Sequence, residues 1–362
     1  MRPGIGSLAM PFTLAEATDS DDGAMDIPTV AIGALGGTIA STSSTASTAG
    51  GEVVPTVTAE GLAAAVPGLA AVADVRAETL AMLPSPALDE PTVLRALAWA
   101  DAAVADGAAG VVITQGTDTL EESACLLDLF WDRPEPLVVT GAMRSPDAPG
   151  ADGPANLLTA VRCAAEPRSR DRGVLVAFDD EIHEARWVAK TDSVSTGAFR
   201  SPVFGPIGRC VEGEVLYGVA PQRVPPLVLP DGVVVGVGDP RVPLVTTYLG
   251  DDGHALRALQ QAGVDGVVVA GFGAGHVSPA MAEAIGDLAA AVPVVFASRT
   301  GSGPTGRAMY GYPGSEVDLI ARGAIGAGWQ APVKARLLLW ALTATGATRA
   351  QVADVFAVRG RP

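Results

Sequence analysis

Two short apolar runs, each followed by glycine and threonine, limit what this chain can fold into more than any other feature of its sequence. Gly36-Gly37-Thr38-Ile39-Ala40 follows Val30-Ala31-Ile32, and Gly116-Thr117-Asp118-Thr119 follows Val111-Val112-Ile113. A buried strand that ends in glycine and a hydroxyl residue places that hydroxyl where an open α/β sheet binds its ligands. The pattern therefore predicts two threonine hydroxyls and a carboxylate at one crevice, as in a hydrolase.

The remaining chain alternates short apolar runs with longer amphipathic ones, which is the pattern of parallel βα units. The predicted strands are Val30–Leu35, Gly110–Thr114, Leu137–Thr140, Val174–Phe178, Val233–Gly236, Val267–Ala270 and Val294–Ala297. The predicted helices are Glu90–Asp106, Leu120–Phe130 and Pro154–Ala165, with further helices after His254, Pro279 and Pro332.

A proline-rich stretch near residue 225 divides this pattern into two sets. We predict a disordered leader at 1–27, a larger N-terminal α/β domain with a mainly parallel sheet at 28–218, a linker at 219–230 and a smaller C-terminal α/β domain at 231–362.

The composition excludes several classes of partner. The net charge of −16 opposes binding to nucleic acid or to anionic membranes, because both need basic patches. No uninterrupted apolar stretch is long enough to span a bilayer. The three cysteines cannot form a complete disulfide framework, and Cys125 and Cys163 are predicted to be small core residues of helices. The N-terminal segment lacks a sustained apolar region typical of secretion, so we expect a cytoplasmic protein.

At four places the chain resembles the bacterial-type L-asparaginase family. Gly36–Ile39 and Gly116–Thr119 are similar to the two signature turns of these amidohydrolases. Trp187–Thr191 is similar to the segment that carries a catalytic lysine, and Ser315–Asp318 to the last acidic site. The resemblance covers nearly the whole chain. It implies hydrolysis of L-asparagine to L-aspartate and ammonia without a cofactor or metal, with L-glutamine as a minor substrate, by a homotetramer built as a dimer of intimate dimers.

The resemblance also assigns roles to five residues of the N-terminal half. Thr38 is the nucleophile, Thr117 is a second catalytic hydroxyl, and Lys190 accepts the proton of Thr117. Asp118 completes the catalytic group and holds the α-ammonium group of the substrate, while Ser85 holds its α-carboxylate. The residues alone leave other interpretations open, because threonine and aspartate ahead of an acidic first turn commonly cap a helix. A lone lysine is most often a solvated surface charge.

Two residues of the C-terminal half are expected to serve a neighbouring subunit. The resemblance implies that His276 and Glu316 reach from one subunit into the active site of its dimer partner. Many relatives carry asparagine at the position of His276, and a neutral histidine can make similar contacts. A surface or helix-capping role for His276 is an equally good interpretation of the residue alone.

The chain departs from the family in its tyrosines. The family's lid commonly carries a tyrosine that activates the first threonine, whereas all four tyrosines here lie at position 217 or later. The small polar segment Ser41–Ala49, bordered by glycine pairs, is either a lid over Thr38 or a solvated loop. Pro86 replaces a polar neighbour of Ser85. Two alternatives therefore stay open: a non-catalytic or weakly active amino-acid-binding relative, and another amidase such as a glutaminase.

One acidic cluster raises the question of a metal site. Asp179-Asp180-Glu181-Ile182-His183-Glu184 offers carboxylates and an imidazole. Its spacing matches no helical histidine pair and no cysteine motif of the kind that binds zinc. We interpret this cluster as a solvated acidic loop.

Overall fold

The computed structural model describes residues 27–43, 53–228 and 240–362, which form two α/β domains. The strands are β1 (Thr29–Gly36), β2 (Ser41–Ser43), β3 (Val53–Pro55), β4 (Asp74–Leu83), β5 (Gly110–Thr114), β6 (Leu137–Thr140), β7 (Val174–Phe178), β8 (Glu181–Glu184), β9 (Ala189–Lys190), β10 (Phe199–Arg200), β11 (Gly208–Val211), β12 (Glu214–Tyr217), β13 (Leu244–Thr246), β14 (Val267–Gly271), β15 (Val294–Ser298) and β16 (Ile325–Gly326). The helices are α1 (Ala59–Ala64), α2 (Glu90–Ala105), α3 (Leu120–Phe130), α4 (Gly153–Ala165), α5 (His254–Ala262), α6 (Pro279–Ala289), α7 (Glu316–Ala321), α8 (Pro332–Ala344) and α9 (Arg349–Arg359).

An eight-stranded sheet forms the N-terminal domain. Its strand order is β12-β11-β8-β7-β6-β5-β1-β4, with parallel pairing from β7 to β4 and antiparallel pairing toward β12. The strands β1, β5, β6 and β7 are buried on both faces, since α2 and α3 cover one side and α4 covers the other. Strands buried in this way consist of continuous apolar runs, and the sequence therefore predicts these four to within one residue at each end.

The strand order reverses at β1. The chain passes from β1 to β4 on one side of the sheet and then returns to β5 on the other side. Ligands of open α/β sheets bind outside the carboxyl ends of the strands at such a reversal. Thr38 directly follows β1, Ser85 follows β4 and Thr117 follows β5, so three adjacent strands deliver these residues to one edge of the sheet.

The smaller C-terminal domain contains a four-stranded parallel sheet in the order β13-β14-β15-β16. The helices α5, α6 and α7 cover one of its faces. On the other face, α8 packs against the sheet and also against α3 of the N-terminal domain. A single apolar core, which includes Leu127 of α3 and Leu338 of α8, therefore continues from one domain into the other. This architecture confirms the predicted fold class.

Several elements differ from the sequence predictions. The predicted strand Val233–Gly236 lies outside the described residues. The sequence analysis does not predict β4, in which exposed charged residues alternate with half-buried ones. It also misses the antiparallel extension formed by β8, β11 and β12, which have four residues each, and the separate pair β9 and β10, which have two each. The contact of β8 with β11 joins segments that lie far apart in the sequence.

The interpretation of the acidic cluster as a solvated loop is wrong for its second half. Glu181–Glu184 forms β8, which pairs with β7 and β11. His183 is fully buried, and its Nδ1 lies 3.0 Å from the Ser201 Oγ atom. Pairing with β7 keeps the cluster in the sheet, while Glu181 forms ion pairs with Arg200 and Arg209 at the surface. Over 27–43, 53–228 and 240–362, no group of three or more His, Cys, Asp or Glu side chains could hold a metal ion.

The three cysteines are free and buried. Cys125 lies in α3 and Cys163 in α4, which confirms the prediction that both are core residues of helices, and Cys210 lies in β11. Within the part of the chain that the structure describes, none of the helices has the length and apolar character needed to cross a membrane.

Candidate active site

Two glycine turns touch at the carboxyl edge of the N-terminal sheet. Gly37 adopts a positive φ of 82°, and its N–H donates to the Leu83 carbonyl at 3.0 Å. A Cβ atom at Gly37 would lie 2.0 Å from the Gly116 nitrogen, and a Cβ atom at Gly116 would lie 2.8 Å from the Ser85 Oγ atom. Only glycine fits at such a close approach of backbones. The contact brings the turn that carries Thr38 against the turn that carries the second threonine.

Lys190 connects the side chains of the second turn. Its Nζ atom donates to Thr117 Oγ1 at 2.9 Å and to Asp118 Oδ1 at 2.7 Å. Thr117 is buried, and the Lys190 side chain is only 14% exposed. The hydrogen bond from Lys190 holds the pKa of Asp118 below its ordinary value, against the opposing effect of burial. The predicted alternative of a solvated surface lysine is therefore wrong.

Ser85 links the third strand end to the same turn. It is buried, and its Oγ atom accepts the Asp118 N–H at 3.2 Å. Its carbonyl oxygen accepts the Thr119 hydroxyl at 3.1 Å. The structure thus places Ser85 beside Asp118, where both can face one small ligand.

The helix-capping alternative is wrong for these side chains. Thr38 and Thr117 are each the first residue of a short 3₁₀ turn, and the residue before each of them is glycine. The N-cap of α3 is Thr119, and no side chain caps that helix. The hydroxyl of Thr117 and the carboxylate of Asp118 are consequently directed to Lys190 rather than to backbone N–H groups.

Two supporting residues were missed by sequence reasoning. Glu121 Oε1 accepts the backbone N–H of Lys190 at 3.3 Å. Lys334, fully buried in α8, donates to the carbonyl of Ala185 at 2.7 Å and to the carbonyl of Val188. Burial lowers the pKa of Lys334, and it raises the pKa of Glu121 against the attraction of Lys334. The signal for Lys334 was its charge within a largely apolar helix, whereas no pattern singles out Glu121.

A second cluster lies in the C-terminal domain. His276 Nε2 lies 2.9 Å from Glu316 Oε2, and the Tyr312 hydroxyl lies 2.7 Å from His276 Nδ1. Glu316 is fully buried, and its other oxygen accepts the N–H groups of Met309 at 2.5 Å and of Tyr310 at 2.7 Å. These contacts contradict a surface or capping role for His276.

The charge of Glu316 is stabilised by these contacts. Burial by itself would raise its pKa. Hydrogen bonds from the N–H groups of Tyr310 and Met309 and from His276 outweigh this effect and hold the pKa of Glu316 below its ordinary value. Glu316 is therefore an ionised carboxylate at neutral pH, bonded to an imidazole.

Comparison with known proteins follows the same division of the chain. A family model described as Asparaginase, N-terminal matches residues 29–223, and one described as Glutaminase/Asparaginase C-terminal domain matches residues 241–356. The chain belongs to the asparaginase family. The two matches together cover most of its length, which confirms the resemblance of the signature turns.

Individual asparaginase relatives match 79% or more of the chain. It is 36% identical to L-asparaginase 2 of Escherichia coli over 89% of this chain and 91% of that protein. It is 34% identical to the glutaminase-asparaginase of Pseudomonas fluorescens biotype A over 79% of each. The crystal structure of a probable cytoplasmic L-asparaginase from Campylobacter jejuni matches with a TM-score of 0.78 at 33% identity, over 91% of this chain and 99% of that one.

In this member of the asparaginase family, the predicted residues form two groups. Thr38, Ser85, Thr117, Asp118 and Lys190 lie together at the strand ends of the N-terminal domain. The predicted residues His276 and Glu316 form the other group, in the C-terminal domain.

The predicted lid is described only at its base. Its first three residues form β2, which follows Thr38 in the sequence and pairs with β3 in an antiparallel ribbon. Residues 44–52, which include the rest of the predicted lid, lie outside the described residues.

Proposed function

We propose that the protein hydrolyses L-asparagine to L-aspartate and ammonia, with L-glutamine as a minor substrate. The observation that carries this proposal is the contact of Lys190 with Thr117 and Asp118, beside the turn of Thr38. A hydroxyl bonded to a partly desolvated amine is the arrangement used for nucleophilic and acid–base chemistry. Relatives at similar identity are named L-asparaginase and glutaminase-asparaginase, which supports the choice of substrate.

The polar groups around the turns fit an α-amino acid. The carboxylate of Asp118 has a side chain that is 60% exposed, so it can receive the α-ammonium group of a bound substrate. The Ser85 hydroxyl lies next to it and can donate to the α-carboxylate. These two contacts would direct the side-chain amide of asparagine toward Thr38 and Thr117.

The hydrolysis then proceeds in two steps. The Thr38 oxygen adds to the amide carbon while its proton leaves to a base, and the tetrahedral intermediate expels ammonia to leave an ester on Thr38. Backbone N–H groups of the glycine turns stabilise the oxyanion. Water then attacks the ester. Neutral Lys190 takes the proton of Thr117, which takes a proton from the water. That proton returns through Thr117 to the Thr38 oxygen as the ester bond breaks, so that aspartate is released with Thr38 restored.

The protein is proposed to work as a homotetramer of intimate dimers in which His276 and Glu316 complete the neighbour's site. We assign to this interface a patch of exposed residues in the segments that follow β13 and β15 of the C-terminal sheet. The patch consists of side chains that are 45–97% exposed: Tyr248, Leu249, Met309, Tyr310 and Tyr312. An exposed group of apolar and aromatic side chains of this kind is typical of a protein–protein contact.

A cytoplasmic location is part of the same proposal. All three cysteines are free, which is the state that a reducing compartment maintains. Fractionation of the producing cells, followed by detection of the protein with an antibody, tests this location.

Ammonia and aspartate formation by the purified protein tests the proposed reaction. With L-asparagine we expect equal amounts of the two products, and with L-glutamine a slower release of ammonia. The discrimination concerns one methylene group, which is worth about 1–3 kcal/mol. Binding of asparagine in calorimetry without product would instead establish the amino-acid-binding alternative. Faster hydrolysis of glutamine would establish the glutaminase.

A further inference from the structure

Three side chains in the C-terminal domain form a chain of hydrogen bonds in a specific order. The Glu316 carboxylate contacts His276 Nε2 at 2.9 Å, and His276 Nδ1 contacts the Tyr312 hydroxyl at 2.7 Å. The second oxygen of Glu316 is fixed by two backbone N–H groups, those of Met309 and Tyr310. The order is a carboxylate, an imidazole and a hydroxyl, with the carboxylate fully buried at one end.

A carboxylate, an imidazole and a hydroxyl in this order can move a proton from the hydroxyl to the imidazole. A buried carboxylate fixes the orientation of an imidazole and stabilises the imidazolium that forms when the ring takes a proton from a hydroxyl. Here the hydroxyl is the phenol of Tyr312, a residue that is 48% exposed, while Glu316 and most of His276 are withdrawn from solvent. The relay therefore ends at the phenol oxygen of Tyr312, which belongs to a partly exposed residue.

Among the described residues, the Tyr312 hydroxyl contacts only His276, and one threonine of the site has no base. Thr117 has Lys190 at 2.9 Å. Across residues 27–43, 53–228 and 240–362, by contrast, no acidic or basic side chain hydrogen-bonds to the Thr38 hydroxyl. The proposed reaction requires the Thr38 proton to leave, so the base must come from elsewhere.

The relay of Glu316, His276 and Tyr312 could supply the base that the Thr38 hydroxyl needs. The phenol of Tyr312 lies within the exposed patch that includes Tyr248 and Met309, at the surface proposed as the interface with a second copy. A second copy docked through this patch would present an activated oxygen to the neighbour. The net charge of −16 on each copy opposes association, but the side chains of the patch are uncharged and add no repulsion of their own.

We propose that Tyr312 is a catalytic residue that accepts the proton of Thr38 in the neighbouring subunit, through the relay Glu316–His276–Tyr312. As Thr38 attacks the amide carbon, its proton passes to the Tyr312 oxygen and the phenol proton passes to His276 Nδ1. When the intermediate collapses, His276 returns that proton through Tyr312 to the departing nitrogen, which leaves as ammonia. Protons balance over the step, and no further reactant is needed. This inference rests on the proposed function.

The variants Tyr312→Phe and Tyr310→Phe test the relay as a matched pair. Both residues are about equally exposed, at 48% and 45%, and both rings lie against His276 with edge-on geometry. Only the Tyr312 hydroxyl bonds to the imidazole, so only one variant breaks the relay. The measured quantities are kcat and KM for ammonia release from L-asparagine, alongside the wild-type protein.

We expect Tyr312→Phe to lower kcat by about 100-fold or more, because general acid–base groups contribute about 10²–10⁴ in rate. KM should change little, since the phenol acts on Thr38 rather than on substrate binding. Tyr310→Phe should keep near-wild-type kcat. Equal kcat values for Tyr312→Phe and wild type would overturn the relay and leave the proposed function intact. Equal losses in both variants would reduce Tyr312 to a packing residue. A wild-type protein that releases no ammonia would overturn both proposals.

Discussion

At the scale of single residues, the two threonines of the site carry the same hydroxyl in different surroundings. Thr117 is buried and bonded to Lys190, whereas Thr38 is half-buried and begins a 3₁₀ turn after a glycine. The difference suits a division of labour in which Thr38 attacks the substrate and Thr117 relays a proton from water. The Lys190 Nζ atom, at hydrogen-bond distance, also fixes the orientation of the Thr117 oxygen.

The variants Thr38→Ala and Thr117→Ala should each lose most of the turnover. Each removes one reacting hydroxyl at a strand end, and such a loss costs roughly a thousandfold or more in rate. The measurement is ammonia release by variants whose circular dichroism matches wild type. Thr119→Ala is the control, because the Thr119 hydroxyl bonds only to the Ser85 carbonyl, and it should retain far more activity. Near-normal turnover by either folded variant would contradict the two-threonine assignment.

At the scale of elements, the site depends on how closely β1 and β5 bring their following turns. The strands pair in parallel from Val30 to Ala34, and the turns beyond them touch through Gly37 and Gly116. Two side-chain-bearing residues at these positions would force the turns apart. The separation of the two hydroxyls is therefore set by the absence of a Cβ atom, not by the side chains themselves.

The variant Gly37→Ala should both destabilise the protein and remove its activity. Gly68→Ala is the matched control, because Gly37 has φ 82° and Gly68 has φ 89°, but a Cβ atom at Gly68 meets no atom within 4 Å. Gly68→Ala carries the cost of a left-handed backbone, about 1–2 kcal/mol. Gly37 has ψ −174°, a conformation almost restricted to glycine, and its backbone cost is about 1–3 kcal/mol. Only Gly37→Ala adds a clash, which overpacking places at about 1–3 kcal/mol more. Urea unfolding measures the difference, and equal stabilities would show that the turns can separate freely.

The elements also show how far sequence reasoning extends. Strands β5, β6 and β7 were predictable because burial on both faces leaves a continuous apolar run. The threonines of the turns were predictable because glycine marks a close approach of backbones. The bond of Tyr312 to His276 and that of Lys334 to Ala185 were not, since they join residues 36 and 149 positions apart whose contact depends on the finished fold.

At the scale of the whole molecule, the two domains share a core and divide the chemistry. The core that includes Leu127 and Leu338 joins α3 to α8 across the domain boundary, and Lys334 extends from α8 to the segment that precedes Lys190. The C-terminal domain therefore holds the segment that leads to Lys190 in the site of its own chain. Through His276 and Glu316, the same domain is proposed to complete the active site of a second chain.

Mixing two inactive variants tests this sharing. Thr38→Ala subunits and Glu316→Ala subunits, mixed under conditions of verified subunit exchange, should regain activity. Each mixed dimer would contain one site with both substitutions and one site with neither, so that on the order of half of the sites in such dimers would be intact. Exchange among subunits of one variant alone is the control and should restore nothing. Activity that stays at the level of the single variants after exchange would contradict the shared site.

The buried cysteines allow local opening of the fold to be measured by thiol labelling. Burial raises the pKa of Cys125 to about 12 and that of Cys163 to about 11, so neither thiol reacts readily while the fold is closed. A thiol-specific reagent added in excess therefore modifies molecules at the moment when a segment opens. Cys125 lies beneath α8 at the domain boundary and Cys163 lies behind the N-terminal sheet. The relative labelling of these two positions would distinguish separation of the domains from unfolding of the sheet.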